Sequence, residues 1–242
     1  MVGQPAVGQP GVGQVVAVVP ARGGSARVPR KNVFPFNGKP MITWPLSAAA
    51  QSGRFERVVV STDDEEIAAI AREAGAEVPF TRPANLADQH AGTAPVIRHA
   101  ITELGLADDD IVVCLYPTAA ITSEILSDAL DRAGSSPERF VISVGRHRSP
   151  LERSLEARPD QTMALAHPQH LVSRTQDLPV RYFDAGKFYI ATAALWKSQE
   201  TMMSEPFTPY FLPEWASVDI DEPEDWPLAE ALHKACVLDP PR

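Results

Sequence analysis

Short apolar runs alternate with segments of helical periodicity along most of the chain. The first run, Val15 to Val19, is rich in β-branched residues and ends at Pro20, as is typical of a strand that is buried on both faces. Similar runs lie at Arg57 to Ser61, Ile111 to Tyr116, Phe140 to Val144 and Phe188 to Ala191. This alternation predicts an α/β fold, a Rossmann-like three-layer sandwich in which helices cover both faces of a mostly parallel sheet.

The segments between and after these runs carry apolar residues at helical spacing. They lie at about Met41 to Ser52, Asp63 to Gly75, Thr93 to Leu104, Ser123 to Gly134 and Asp221 to Ala235. Asp63 and Ser123 are predicted to cap their helices. The last helix is predicted to bury one face, formed by Leu228, Ala231, Leu232 and Ala235.

Two segments depart from this alternation of strands and helices, one at the start of the chain and one in its middle. Residues 2–14 repeat Gly, Pro and Gln around single valines and offer little for a core to bury, so residues 1–14 are predicted to form a flexible tail. From Gly145 to about Arg181 the pattern breaks into short polar, proline-containing pieces. We interpret residues 145–181 as an insertion, an arm or an antiparallel excursion, in a single domain that spans residues 15–242.

The composition is that of an ordinary folded chain, with 242 residues of which 44% are hydrophobic and 22% are charged. Its net charge of −9 argues against a protein that binds nucleic acid or an anionic membrane through overall charge. No apolar run approaches the roughly 20 residues of a membrane span, and the first cation, Arg22, comes too late for a secretory signal. Cys114 and Cys236 lie far apart and outside any Cys-x-x-Cys, so we expect a reducing cytoplasm.

The loop after the first predicted strand is strongly basic in this acidic chain. Ligands of open α/β sheets bind beyond the carboxyl ends of the strands, where this loop begins. Adjacent Gly23 and Gly24 let backbone N–H groups approach phosphate oxygens, while Arg22 and Lys31 offset the charge of a triphosphate. We therefore predict a phosphate-binding loop, and a solvated basic loop with a turn at its glycines is the alternative.

Asp219 and Asp221 flank a single residue near the end of the chain. Side chains alternate along an extended segment, so both carboxylates are expected on one side. Mg²⁺ takes few protein carboxylates and completes its octahedron with water and substrate phosphate, which suits such a pair. The alternative is that Asp221 only caps the last helix.

Several motifs follow one another in a fixed order. They are the loop Ala21 to Asn32, Val60 to Ile67, Leu115 to Ala119, Ser173 to Leu178, Asp184 to Tyr189, and Asp219 to Asp221. Together they resemble the cytidylyltransferases that make CMP-activated nonulosonic acids, the CMP-sialic acid synthetase family, and most closely its pseudaminic acid branch. The resemblance extends over roughly residues 15 to 235.

This resemblance implies a nucleotidyltransferase with the fold of nucleotide-diphospho-sugar transferases. It would transfer CMP from CTP to the anomeric hydroxyl of a nine-carbon 2-keto sugar acid and release pyrophosphate. The implied nucleotide-binding residues are Ala21, Arg22, Gly23, Gly24, Ser25, Arg27, Lys31, Asn32, Thr93 and Thr118. Those for the acidic sugar are Tyr116, Arg174, Gln176, Asp184, Lys187 and Tyr189. Arg22, Lys31 and Asp221 would act in catalysis, and Asp219 and Asp221 would hold Mg²⁺.

The resemblance also implies a homodimer in which the insertion of one subunit completes the sugar site of the other. Three of the implied residues have another interpretation. Thr93 is alternatively a helix cap, Tyr116 a core residue under a turn, and Asp184 a turn residue paired with Gly186.

Two positions depart from the family's usual wording. Ala26 stands where the loop normally carries a lysine, so one phosphate-binding cation is missing, and whether neighbouring Arg27 substitutes for it is open. Lys187 stands where the pseudaminic branch usually has glutamine. The general base of the reaction is not identifiable from the sequence.

Pseudaminic acid is the expected acceptor, and N-acetylneuraminic, legionaminic and 3-deoxy-manno-octulosonic acid are the alternatives within the same reaction. Two other classes of protein stay open. A glycosyltransferase also uses Asp-x-Asp to hold a metal, and the loss of a lysine at Ala26 would suit a nucleotide-binding protein without turnover.

Overall fold

The fold is seen in a computed structural model, which describes residues 13–24, 27–88 and 91–240. The strands are β1 (Val15–Pro20), β2 (Pro35–Phe36), β3 (Lys39–Pro40), β4 (Arg57–Ser61), β5 (Ile111–Leu115), β6 (Val141–Arg146), β7 (Leu155–Ala157), β8 (Met163–Leu165), β9 (Tyr182–Thr192) and β10 (Thr208–Phe211). The α-helices are α1 (Thr43–Ser52), α2 (Glu65–Glu73), α3 (Ala84–Ala87), α4 (Thr93–Leu104), α5 (Ser123–Gly134), α6 (Ala193–Ser198) and α7 (Asp225–His233). Among these residues no helix is long and apolar enough to cross a membrane.

The central sheet has six strands in the order β10-β6-β9-β5-β1-β4. β1 runs parallel to β4 and β5, and β10 runs parallel to β6. β9 is antiparallel to both of its neighbours, β5 and β6. Because β6 and β9 are adjacent and antiparallel, the insertion between them closes a long hairpin and not a helical crossover. The predicted mostly parallel sheet is confirmed.

Helices cover the two faces of the sheet and create two apolar cores. Alternate strand residues point to opposite faces, so Val18 and Val19 of β1 enter different cores. α1, α2 and α5 pack on one face, and α4 and α6 pack on the other. The three-layer α/β sandwich predicted from the sequence is therefore confirmed.

Two helix caps lie one residue away from their predicted positions. Asp64, not Asp63, caps α2, with its carboxylate accepting from the Ile67 amide at 3.0 Å. Thr122, not Ser123, caps α5. In each case two neighbouring residues both have side chains that can cap, and the one with extended backbone angles does so.

The buried face of α7 also differs from the prediction. Leu228, which was predicted to be buried, is 55% exposed, and Ala231 and Ala235 are exposed as well, while Leu232 is only half-buried. The buried residues are Trp226, Ala229 and His233. Their spacing also places them on one face of the helix. This face is buried because the apolar surface of one indole exceeds that of several alanines.

α7 packs in a third, smaller core that joins the end of the chain to the loop after β1. Its buried members are Val28, Phe36, Met41, Ile220, Trp226 and Ala229. The Trp226 indole N–H donates to the Pro35 carbonyl at 3.2 Å. This core fixes the segment around Ile220 against the segment around Val28.

The insertion contains an antiparallel hairpin of its own, as the sequence suggested. β7 pairs with β8 in a separate two-stranded sheet. Many large apolar side chains of this arm are exposed: Leu151, Leu155, Met163, Leu171, Val172 and Val180.

The predicted tail ends before residue 14. Gln14 donates from its backbone and its side-chain amide to the two carboxylate oxygens of Asp110, each at 3.0 Å. Asp110 is buried, so it needs these partners. Residues 1–12, the rest of the predicted tail, lie outside the described residues.

Removal of residues 2–12 is expected to leave Tm and turnover unchanged. Removal of residues 2–14 also takes away the two hydrogen bonds from Gln14 to Asp110, which together are worth about 2 kcal/mol, and leaves Asp110 with the Ala107 amide. At about 3 °C per kcal/mol for a chain of this size, Tm should fall by about 6 °C. Thermal denaturation of both truncated proteins checks this, and an equal fall in both would show that the shorter segment is structural.

Candidate active site

A cleft of about 410 Å³ opens beyond the carboxyl ends of β1 and β5. Of the residues predicted from the sequence, its lining includes Arg22, Gly24, Arg27, Lys31, Asn32, Tyr116, Thr118, Asp184, Tyr189, Asp219 and Asp221. Pro20, Pro117 and Gly186 also line it. The cleft lies where the strand ends of an α/β sheet place ligands, and it brings the basic loop opposite the acidic pair.

The basic wall of the cleft is formed by Arg22, Arg27 and Lys31. The buried Asn32 side chain donates to the Arg22 carbonyl at 2.9 Å, which holds the two ends of the loop together. The Gly23 amide donates to the Asp63 carboxylate at 3.1 Å. In this conformation the Gly23 N–H is therefore engaged outside the cleft, in contrast to the predicted contact with phosphate.

The loop is anchored to the start of α2 by charge. Arg30 donates to Asp64 at 2.6 Å and also pairs with Glu66. The Arg30 guanidinium holds the pKa of the Asp64 carboxyl below its usual value. A Cβ on Gly23 would lie 2.6 Å from Asp64 Oδ2. Because Asp64 is fixed by Arg30 and by its cap, only glycine fits at position 23.

The acidic wall is formed by Asp219 and Asp221, which flank the buried Ile220. Burial of Ile220 in the third core turns its two neighbours toward the cleft, as the alternation of an extended segment predicts. Asp221 Oδ1 lies 2.9 Å from Arg27 Nη2 and 3.7 Å from Lys31 Nζ. The Asp221 side chain does not cap α7, since no side chain caps that helix.

The carboxylates of Asp219 and Asp221 fit a metal ion that takes few protein ligands. Neither carboxylate is enclosed by protein, since the Asp219 and Asp221 side chains are 51% and 44% exposed. Within the described ranges, no group of three or more His, Cys, Asp or Glu residues suits a metal. Mg²⁺ is bound by one or two carboxylates together with water and substrate phosphates, which is what this half-open pair offers.

Two tyrosines form the floor of the cleft. The hydroxyls of Tyr116 and Thr93 lie 2.6 Å apart, and the Tyr189 hydroxyl donates to Asp184 Oδ2 at 2.6 Å. Burial raises the pKa of both tyrosines, so both stay neutral. No side chain caps α4, so the hydroxyl of Thr93 serves Tyr116 and not the helix end. Asp184 also accepts from the Gly186 amide at 3.0 Å, so the turn predicted as its alternative function is present, while its side chain lines the cleft.

Lys187 lies behind the acidic wall and is almost completely buried. It does not belong to the described residues that line the cleft. Its Nζ lies 3.8 Å from Asp219 Oδ1. Burial lowers the pKa of Lys187 to about 8, although the nearby Asp219 raises it.

Several predicted residues do not reach the cleft of this chain. Arg174 and Gln176 are exposed on the arm, where Arg174 pairs with Asp177 at 2.8 Å, and neither is among the lining residues that the structure describes. Ala21 is buried and continues the ladder of β1 through the Ser61 carbonyl. Ser25 lies outside the described residues, as does Ala26.

Arg82 is a buried cation near the basic loop that the sequence did not reveal. Its guanidinium donates to the hydroxyl and the carbonyl of Ser61, at the end of β4. Burial lowers the pKa of Arg82 to about 10, partly offset by Asp63. A single arginine before a proline in a segment without periodicity carries no local signal of burial.

The chain matches the cytidylyltransferase family over residues 16–214. It is 35% identical to a pseudaminic acid cytidylyltransferase of Campylobacter jejuni, over 90% of this chain and 96% of that protein. It is 33% identical to a CMP-N,N'-diacetyllegionaminic acid synthase of Legionella pneumophila, again over 90% and 96% of the two chains.

Solved structures agree at the level of the fold. A CMP:2-keto-3-deoxy-manno-octonic acid synthetase in complex with CTP has a TM-score of 0.66 at 17% identity and covers 90% of this chain and 98% of that one. A 4-diphosphocytidyl-2C-methyl-D-erythritol synthase has a TM-score of 0.61 at 15% identity, over 91% and 99%. The resemblance drawn from the motifs is confirmed, and the chain belongs to the cytidylyltransferase family of nucleotidyltransferases.

Proposed function

We propose that the protein transfers CMP from CTP to the anomeric hydroxyl of a nine-carbon 2-keto sugar acid. The observation that carries this proposal is the cleft itself, in which Arg22, Arg27 and Lys31 face Asp219 and Asp221. Such a pairing of cations with metal-binding carboxylates suits a triphosphate that arrives with Mg²⁺. The two relatives named above, which make activated sugar acids of this class by their names, support the same reaction.

In the proposed reaction the anomeric oxygen attacks the α-phosphorus of CTP. A new P–O bond forms, the bond to the β-phosphate oxygen breaks, pyrophosphate leaves, and the proton of the anomeric hydroxyl is released to solvent. Arg22, Arg27 and Lys31 hold the triphosphate in line and offset its charge. Mg²⁺ held by Asp219 and Asp221 would supply further compensation for charge on the transferring phosphoryl group.

Pseudaminic acid is the proposed acceptor. Its support is the similarity to pseudaminic acid cytidylyltransferases, over 90% of this chain, together with the motifs of that branch. Legionaminic acid is the second candidate acceptor, because the chain is also 33% identical to a CMP-N,N'-diacetyllegionaminic acid synthase. Both sugars carry a carboxylate, which needs a cationic or hydroxyl partner in the pocket.

A homodimer in the cytoplasm is also part of the proposal. The arm carries a group of exposed apolar side chains, and such patches mark protein interfaces. Arg174 and Gln176 lie on this arm, away from the cleft of their own chain. A partner subunit would bring its arm, with these two residues, to the sugar pocket. Both cysteines are free thiols, which is compatible with a reducing compartment.

The reaction is tested by identifying its products. Protein, CTP, MgCl₂ and pseudaminic acid should yield CMP-sugar and pyrophosphate in equal amounts, followed by phosphorus-31 NMR and mass spectrometry. ATP, GTP and UTP should give much less product. CMP and pyrophosphate formed without any sugar adduct would mean hydrolysis and would contradict the proposed transfer.

Ala26→Lys tests the departure in the basic loop. A restored lysine adds one exposed charge-assisted contact to the triphosphate, worth about 1.5 kcal/mol, so KM for CTP should fall about tenfold. Ala26→Met is the matched control, with a long but uncharged side chain. An unchanged KM in Ala26→Lys would show that Arg27 already fills this position.

A further inference from the structure

Asp219 and Asp221 already face cations of the protein, and these cations differ in their exposure to solvent. Asp221 is paired with Arg27 and Lys31, whose side chains are 59% and 20% exposed and line the cleft. Asp219 faces Lys187, whose side chain is 2% exposed. A bound triphosphate can attract Arg27 and Lys31 away from Asp221, whereas burial keeps Lys187 where it is.

Lys187 is held rigidly behind the cleft. Its backbone N–H donates to the Ser143 hydroxyl at 3.0 Å, and its carbonyl accepts from the Tyr116 amide at 2.9 Å. Its buried Nζ has no hydrogen-bond partner among the residues that the structure describes. A buried ammonium group without a hydrogen bond destabilises the fold, and the carboxylate that compensates its charge is that of Asp219, 3.8 Å away.

The orientation of Asp219 fits this view. Its Oδ1 accepts from the Ile220 amide at 2.9 Å and lies 3.8 Å from Lys187 Nζ. The second oxygen, Oδ2, receives no hydrogen bond within the described part of the chain and belongs to a side chain that lines the cleft. Asp219 thus has one oxygen engaged by the protein and one oxygen without a protein hydrogen bond among the described residues.

We propose that Lys187 is a fixed counter-charge behind the metal-binding carboxylates, which keeps divalent cations from binding the free protein and makes their entry depend on the nucleotide. The inference rests on the proposed function, since it concerns the same metal and CTP. Before CTP arrives, Arg27, Lys31 and Lys187 together offset the charges of Asp219 and Asp221. When the triphosphate draws Arg27 and Lys31 to itself, Asp221 is freed and the phosphate adds its own oxygens, so the metal enters with the nucleotide.

Four charged side chains affect the protonation of Lys187. Asp219, Asp221 and Asp184 favour its ammonium form, and Lys31 opposes it. Lys187 therefore acts on the metal through the carboxylates and not as a ligand of phosphate or sugar. It is a positioning residue, in contrast to the sugar-binding function expected for it from the sequence.

The test is the affinity of the free protein for Mn²⁺, measured by electron paramagnetic resonance without nucleotide. Lys187→Met keeps the length of the side chain and removes its charge. A unit charge within several Å of a divalent ion in a half-open cleft changes affinity by about an order of magnitude. We expect native protein to bind Mn²⁺ weakly and Lys187→Met to bind it about tenfold more tightly. Lys187→Arg, which keeps the charge, should resemble the native protein.

Two controls test whether the gain in Mn²⁺ affinity arises at Asp219 and Asp221. Lys197→Met removes an exposed lysine that pairs with Asp108 at 2.8 Å and is not among the described residues that line the cleft, so it should leave Mn²⁺ affinity unchanged. Asp219→Asn in the Lys187→Met background should abolish the gain. If Lys187→Met does not fold, as judged by circular dichroism, Lys187→Gln takes its place.

Native-like Mn²⁺ affinity in Lys187→Met, equal affinity in Lys187→Arg and Lys187→Met, or a gain that survives Asp219→Asn would each overturn the inference. The measurement contains no CTP or sugar, so it is independent of turnover. A protein that forms CMP-sugar but shows no gain refutes only the counter-charge, and a gain without CMP-sugar formation refutes only the proposed reaction.

Discussion

Asp221→Asn is expected to lower kcat about a thousandfold while the protein stays folded. The carboxylate lines the cleft at 2.9 Å from Arg27 and is one of two proposed Mg²⁺ ligands. Its loss removes stabilisation of charge during transfer, worth about 4 kcal/mol, or about three orders of magnitude in rate. The side chain is 44% exposed, and exposed ion pairs contribute at most about 1 kcal/mol to stability. Pyrophosphate release under saturating CTP, together with Tm, measures both effects.

Glu222→Gln is the matched control for this substitution. Glu222 is the next residue and also pairs with Arg27, at 3.4 Å, but it is not a lining residue of the cleft as described. We expect its kcat to stay within about twofold of the native value, as for a surface pair. Equal kcat in Asp221→Asn and native protein would remove Asp221 from the metal site.

Lys31→Met is expected to lower kcat/KM for CTP about a hundredfold, mainly through KM. Lys31 spans the cleft, since it belongs to the basic loop and its Nζ donates to the Ile220 carbonyl next to the acidic pair. Its side chain is 20% exposed, so its charge is only partly screened by water. Loss of a charge-assisted contact of this kind costs about 2.7 kcal/mol, which corresponds to about a hundredfold.

Lys39→Met serves as the control, because Lys39 lies over the Trp44 ring at 5.1 Å and outside the cleft. Steady-state kinetics with varied CTP distinguish the two substitutions, as Lys31→Met should raise KM and Asp221→Asn should reduce kcat. A normal KM for CTP in Lys31→Met would contradict the placement of the triphosphate on the basic wall.

The bounds of β1, β4 and β5 could be predicted closely from the sequence, whereas β10, which runs parallel to β6, was not predicted. β4, Arg57–Ser61, has the predicted bounds, because an uninterrupted apolar run between polar ends leaves one choice. β9 was predicted only from Phe188 onward and in fact begins at Tyr182. Its first half carries the charged residues Asp184 and Lys187, so an apolar pattern cannot reveal it.

Local chemistry also made part of the site predictable. The basic loop and the Asp219–Asp221 pair are each contained in a short segment, and period-two alternation was enough to place both carboxylates on one side. The contact between Lys187 and Asp219 joins residues far apart in the chain. Such a contact depends on the packing of β9 against the last segment, which no local pattern encodes. The engagement of Gly23 with Asp63 was hidden for the same reason.

The central claim is tested most directly by the rate of pyrophosphate release from CTP and Mg²⁺ with different acceptors in parallel. The acceptors are pseudaminic acid, N,N'-diacetyllegionaminic acid, N-acetylneuraminic acid and none. We predict that kcat/KM is at least about tenfold higher with pseudaminic acid than with either other sugar, as one well-placed polar contact achieves. Without an acceptor there should be no release. Release only with another sugar acid would contradict the proposed acceptor, and no release with any of them would contradict the proposed reaction.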